Sequence, residues 1–146
     1  MIAYADSSFL ARIYTPHSDS DKALSWMQSA KAPLPFTPLH RLELRNAVRL
    51  RVILGELNLE HRKLAFIDIE SDQVTGILAH TPVPWTDAFR ESEELGAKHS
   101  ETLGVRSIDL LHVGIARALK ATDFLTFDTR QATLAETAGL RVKAWK

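Results

Sequence analysis

The sequence predicts an α/β protein. Short apolar runs with strand character alternate with segments of helical periodicity along the whole chain. Two of those runs end on an aspartate that immediately precedes a helical segment, and no break in composition divides the sequence. Short strands alternating with helices pair in parallel through right-handed crossovers, with helices on both faces of the sheet. Residues 1–146 are therefore expected to form a single domain around a mainly parallel sheet of about five strands.

The elements follow in order. Ile2 to Ala5 is an apolar strand ending at Asp6, and Ser7 to Tyr14 is helical until Pro16 interrupts it. Asp19 to Ala30 continues helically, Pro33 and Pro35 punctuate, and Leu34 to Thr37 forms a second short strand. A long helix runs from about Leu39 to Leu54 and is closed by Gly55, and Leu59 to Ser71 gives another. Ile77 to Val83 reads as a strand and Thr86 to His99 as an amphipathic helix. After Gly104, Ser107 serves as N-cap of a nearly all-apolar helix to Lys120. Phe124 to Phe127 is a strand ending at Asp128, Arg130 to Ala138 a helix stopped by Gly139, and Leu140 to Trp145 a last strand.

Composition narrows the function classes. The chain is 45% hydrophobic and 25% charged, as in ordinary globular proteins rather than disordered ones. It contains no cysteine, which excludes a disulfide framework, a thiolate zinc site and a cysteine nucleophile. The six histidines include no pair three or four residues apart, so a local histidine zinc motif is absent as well. No leader-like opening and no window of about 18 uninterrupted apolar residues is present, so the expected location is cytoplasmic, away from the membrane. Formal net charge is zero, which argues against holding nucleic acid by bulk electrostatics; any RNA contact must be local.

Four acids stand out. Asp6 and Asp128 each follow a strand and precede a helix, the edge at which open α/β sheets place ligands, although either residue also suits a simple N-cap. Glu43 lies near the middle of an arc formed by Leu39, Leu42, Ala47, Leu50, Ile53 and Leu54, with Asn46 beside it, so the pattern points a carboxylate inward. Asp109 begins the most apolar helix, with Val113 and Ala116 on its own face; as a first-turn acid it also complements the helix dipole. Four converging carboxylates would repel one another unless a cation neutralised them. Magnesium or manganese is the expected ion, because both prefer oxygen ligands. Such a site can activate water for in-line attack on phosphorus.

At this point the chain resembles the PIN-domain family and, within it, the VapC-type toxins of toxin-antitoxin pairs. The matching stretches are Tyr4-Ala5-Asp6-Ser7-Ser8, Glu43-Leu44-Arg45-Asn46-Ala47, Arg106-Ser107-Ile108-Asp109-Leu110-Leu111-His112 and Leu125-Thr126-Phe127-Asp128-Thr129-Arg130-Gln131. The resemblance implies a three-layer α/β/α fold and an acidic quartet of Asp6, Glu43, Asp109 and Asp128. It implies Asp6 and Asp109 as principal metal ligands, with Glu43 and Asp128 completing the cage or acting through water, and Ser7 and Thr126 as supporting hydroxyls. It further implies endoribonuclease activity with water as nucleophile and a 5′-phosphate product, an antitoxin partner and a homodimer. The sequence departs from the usual pattern at Gly114, where alanine is more common; packing should feel this more than chemistry.

Other constellations are weaker. Arg41, Arg45 and Arg49 make one stripe of the Glu43 helix, suited to RNA phosphates, to an antitoxin surface or to plain solvation. Leu44, Val48 and Val52 form a second apolar row, open to an antitoxin, a second copy or the following helix. His112 reads as a packed, hydrogen-bonded residue, and Trp26, Trp85 and Trp145 as core. An aspartyl-phosphate phosphatase would want a second aspartate where Ser8 stands, and a dinucleotide fold would want glycines after the first strand. The more serious rival is a PIN-like module that binds RNA or protein without cutting.

Overall fold

The computed structural model describes residues 2–145. By contact density the chain forms two compact units, Met1–Asp6 with Pro82–Lys146, and Ser7–Thr81. Each is taken by itself.

The first unit holds strands β1 (Ala3–Ala5), β4 (Asp123–Leu125) and β5 (Arg141–Val142), and helices α5 (Trp85–Leu103), α6 (Ser107–Ala118) and α7 (Thr129–Thr137). Its three strands run parallel in the order β1-β4-β5, with Tyr4 opposite Phe124 and Asp123 opposite Arg141. Strands β1 and β4 are almost wholly buried, as expected of a covered parallel sheet. The ladder runs one step further, because the Asp6 N–H donates to the Leu125 carbonyl at 3.1 Å. Parallel pairing thus brings Asp6 and Thr126 out at the same sheet edge. Below them Tyr4, Phe124, Val113, Ile115 and Leu134 are fully buried. Helices α5 and α6 pack so closely that a Cβ on Gly114 would stand 2.0 Å from Ser92 Oγ and 2.7 Å from the Ala88 carbonyl oxygen. Glycine at that position is what the packing requires.

The second unit holds α1 (Ser7–Tyr14), α2 (Ser20–Ser29), β2 (Leu34–Phe36), α3 (Pro38–Ile53), α4 (Leu59–Val74) and β3 (Leu78–His80). Strands β2 and β3 pair in parallel, Leu34 opposite Leu78. Helix α3 starts cleanly: Pro38 occupies the first turn, where no N–H is needed, and Thr37 Oγ1 accepts from the His40 N–H while His40 Nδ1 accepts from the Thr37 N–H. Asn58 and His61 repeat that reciprocal cap at α4.

The α/β class and the parallel pairing agree with the sequence reading, but several expectations need correction. Among the described residues the five strands form two separate sheets of three and two, not one sheet of about five. The strand expected over Ile77 to Val83 is only β3, since Pro82 and Pro84 supply no N–H to a ladder. The last strand is cut to Arg141–Val142. At α6, Arg106 rather than Ser107 is the cap residue. Trp85 is not core: it is 38% exposed beside Phe89.

The faces of α3 are the reverse of those expected. Leu44 and Val48 are fully buried, and Val48 packs with Leu57, Ala65, Val52, Phe66 and Tyr14. That row is internal, so the idea that it receives an antitoxin or a second copy is withdrawn. Leu42, Leu50, Ile53 and Leu54 of the arc thought to face the core are exposed, Ile53 by 82%. Among the described residues no helix is long and apolar enough to cross a membrane.

Candidate active site

Thr126 organises the acids of the first unit. It is buried three residues before α7, and its Oγ1 donates to Asp6 Oδ2 at 2.5 Å while accepting the Asp128 N–H at 3.0 Å. One hydroxyl therefore ties the Asp6 carboxylate to the backbone of Asp128. Its own backbone is pinned as well, because Trp145 Nε1 donates to the Thr126 carbonyl at 2.8 Å. Asp6 is 5% exposed, so its carboxylate is held almost out of water, where ionised groups persist only when hydrogen-bonded or paired.

Asp128 is exposed and is the N-cap of α7, its Oδ1 accepting from the Gln131 N–H at 3.0 Å. The capping role that the sequence allowed is realised, and it leaves the second oxygen out of that bond. Asp109, half-buried on the first turn of α6, accepts the Arg106 N–H at 3.1 Å and faces the Arg106 guanidinium at 3.6 Å. Asp109 and Asp128 line one cavity of about 500 Å³ together with Arg106, Phe127, Thr129 and Arg130. Helix α6 is tied to β1 by a buried hydrogen bond of 2.7 Å between the Tyr4 hydroxyl and His112 Nδ1. His112 is thus the packed residue expected, and the bond sets the first turn of α6, with Asp109, relative to the strand that ends at Asp6.

Glu43 belongs to the second unit, on the second turn of α3. It is half-buried, and Ser7 Oγ, on the first residue of α1, donates to its Oε1 at 2.8 Å. Ser7, which the resemblance offered as a supporting hydroxyl, has Glu43 as its acceptor. The arginine stripe turns toward α4. Arg41 and Arg45 both pair with Glu70, Arg41 also donates to Gln73, and the Arg49 guanidinium lies 5.0 Å from the Phe66 ring centre. Burial, reinforced by the neighbouring Arg41, lowers the pKa of Arg45 against the opposing pull of Glu70.

The structure thus joins Asp6 to Asp128 through Thr126, and Asp109 to Asp128 at one cavity. It does not draw them tighter: among the described residues no three acidic or histidine side chains stand close enough to hold a metal ion as they are. The donor chemistry still suits a hard divalent cation, since every acid offers carboxylate oxygen, with one oxygen of each fixed by a neighbouring donor. Sequence reasoning missed Trp145, which was assigned to the core, and the pair Arg106 and Arg130. The two arginines lie inside the quoted stretches, where only the acids drew attention.

The PIN domain family model matches residues 3–137. Compared with curated protein sequences, the chain finds no significant match. Among solved structures it is similar to FitAcB from Neisseria gonorrhoeae (16% identity, TM-score 0.71, covering 98% of this chain and 97% of that one). It is also similar to VapC20 of Mycobacterium tuberculosis, described as a sarcin-ricin loop cleaving toxin (12% identity, TM-score 0.70, 97% and 99% covered). A third is VapBC2 from Rickettsia felis, bound to a DNA fragment from their promoter (16% identity, TM-score 0.68, 100% of both chains covered). At such identities the likeness concerns the fold; the family model spans most of the chain, and the chain belongs to the PIN-domain family.

Proposed function

We propose that this chain is a magnesium-dependent endoribonuclease, with manganese as an alternative ion, and that it acts as the toxin of a toxin-antitoxin pair in the cytoplasm. The observation that carries the reading is Thr126, whose hydroxyl links the Asp6 carboxylate to the Asp128 backbone N–H at the carboxyl edge of a parallel sheet, beside a cavity that Asp109 and Asp128 share. A pure binding module gains nothing from the mutual repulsion of a full acidic set, which disfavours the non-cutting alternative.

In this proposal Asp6 and Asp109 are the principal ligands, and Glu43 and Asp128 complete the set or act through water. A bound divalent ion supplies the polarisation of water and phosphate that carboxylates alone cannot. The chain's own part is to aim oxygens. Thr126 fixes one oxygen of Asp6, the Gln131 N–H one of Asp128, the Arg106 N–H one of Asp109 and Ser7 one of Glu43. Water attacks phosphorus, the bond to the 3′ oxygen breaks, and the products are a 5′-phosphate and a 3′-hydroxyl.

The description of VapC20 as a cleaving toxin supports RNA as substrate. An antitoxin and a second copy of this chain are the proposed partners. The exposed row Leu42, Leu50, Ile53 and Leu54 supports a protein partner, because apolar side chains grouped on a surface mark such contacts. Of the three earlier readings of Arg41, Arg45 and Arg49, RNA guidance is retained here only for Arg41 and Arg49, the more exposed pair.

The test is cleavage of RNA by the wild-type chain with magnesium, with EDTA, and by Asp6→Asn with magnesium. Cutting in the first alone is expected. Undiminished cutting by a folded Asp6→Asn chain refutes the assignment.

A further inference from the structure

Helix α1 is fastened to α3 at both ends. At its first residue Ser7 donates to Glu43, and just beyond its last residue Arg51, in the final turn of α3, reaches the corner between α1 and α2. That corner is knitted together by its own polar groups. Ser20 Oγ donates to the Thr15 carbonyl at 3.2 Å and accepts the His17 N–H at 2.9 Å, and the Ser20 N–H donates to the His17 carbonyl at 3.1 Å. Arg51 grips it from α3, with one terminal nitrogen donating to the Pro16 carbonyl at 2.9 Å and the other 3.4 Å from His17 Nδ1. Nε of the same guanidinium donates to Glu56 at 2.9 Å.

His17 Nδ1 thus has a donor, Arg51, and an acceptor, the Thr15 carbonyl at 3.1 Å, both within reach. A ring nitrogen accepts only while it lacks a proton; in the imidazolium both nitrogens donate. The neutral ring, with its proton on Nε2, can take the Arg51 N–H. The protonated ring can serve only the Thr15 carbonyl, and it sets a positive charge against a guanidinium 3.4 Å away. The charged groups that bear on the ring are Arg51 of α3, Arg12 of α1 and Glu56 just past α3, and Arg12 in turn engages Asp19 at 3.4 Å. Burial comes first in holding the folded ring below its ordinary pKa of 6.5; the Thr15 carbonyl opposes it, the two arginines add to it, and Glu56 pulls back.

We infer that His17 is a proton-operated latch: neutral, it accepts from Arg51 and keeps the α1–α2 corner on the end of α3; protonated, it turns to the Thr15 carbonyl and the corner comes away. Acid thereby unfastens the far end of the helix whose first residue holds Glu43. A histidine that changes partner with its charge is the element that pH-sensitive contacts are built on.

Two measurements on the wild-type chain must agree. Titration of the ring, followed through its Cε1 proton resonance, gives the pKa in the folded chain. In the released corner the ring has its ordinary value, so acid should favour release about tenfold for each unit by which the folded value lies below 6.5. Amide exchange of His17 and Ser20, taken relative to that of the buried Ile69 in α4, should quicken by that factor from one side of the titration to the other. Arg51→Gln should move the midpoint up toward 6.5 and leave the corner open on both sides, whereas an arginine that merely braced the corner would leave the midpoint where it is. His17→Gln keeps an acceptor for Arg51 and cannot take a proton, so its Ser20 amide should stay protected throughout. A wild-type corner whose exchange does not change across the titration, an equal change in His17→Gln, or an unmoved midpoint in Arg51→Gln overturns the inference. Where a substitution unfolds the chain, the wild-type pair of measurements decides. None of these measurements needs metal or RNA, so the result is independent of the nuclease reading.

Discussion

Replacing Thr126 with valine keeps the shape of the side chain and deletes the hydroxyl that joins the Asp6 carboxylate to the Asp128 backbone. The Oγ1 donates to Asp6 at 2.5 Å and accepts the Asp128 N–H at 3.0 Å. A hydrogen bond to an ionised acceptor is worth about 1.5–3 kcal/mol, and an N–H left without its partner adds about 1 kcal/mol. The methyl that replaces the hydroxyl returns somewhat less than about 1 kcal/mol of apolar burial. The net loss is about 2–3 kcal/mol, which for a chain of this length lowers Tm by roughly 6–10 °C. Scanning calorimetry of the wild type, Thr126→Val and Thr126→Ser measures it. Serine keeps the hydroxyl and should pay only for the missing methyl, about 1 kcal/mol. RNA cleavage by Thr126→Val should fall with the stability, because Asp6 then loses the donor that aims it. A Thr126→Val chain that melts within about 2 °C of wild type and cuts as fast would refute the role assigned to this hydroxyl.

Three further outcomes follow from the packing and the charges. Leu44→Ala, in the buried row of α3, should cost about 2–5 kcal/mol in a denaturant titration, whereas Leu50→Ala, 53% exposed, should stay within about 0.5 kcal/mol; equal costs would mean the faces have been assigned wrongly. Gly114→Ala restores the residue more usual at that position yet should destabilise by about 1–3 kcal/mol, because its Cβ meets the Ala88 carbonyl as well as the Ser92 hydroxyl; a neutral result in thermal melts would show that α5 yields freely. Burial, with Arg51 and Arg12 adding to it against the pull of the Thr15 carbonyl, holds His17 below its ordinary pKa of 6.5. The unfolded chain therefore binds the proton more readily, so this group's contribution is present above 6.5 and lost as pH falls toward the folded value. Denaturant midpoints should drop across that window and His17→Gln should lessen the drop; a parallel pH profile for the variant would contradict it.

Asp6 and Asp128 were legible as candidates because strand-end position is a local signal. Asp6 and Asp128 stand where a short apolar run stops and a helix starts, and parallel pairing of β1 with β4 carries that order into space. Glu43 was found for a reason that did not hold. Helix α3 carries two apolar rows, Leu44-Val48-Val52 and Leu42-Leu50-Ile53, and periodicity cannot say which faces the core when both have helical spacing. The longer arc drew the assignment, yet the shorter row is buried against Leu57 and Ala65, while Glu43 is held at the side by Ser7. The division into two sheets was not visible, since single strands of three residues carry no register of their own. Trp145 on Thr126 and Phe127 depends on contact across separate segments, which no local pattern encodes.

Titration of the purified chain with manganese, followed by calorimetry, bears most directly on whether these acids form a metal centre. Wild type should bind saturably, and Asp6→Asn and Asp109→Asn should each weaken binding by about tenfold or more, the scale seen when even indirect supports of a metal are removed. An isotherm that neither substitution changes, or a wild-type chain that takes up no manganese, would contradict the account.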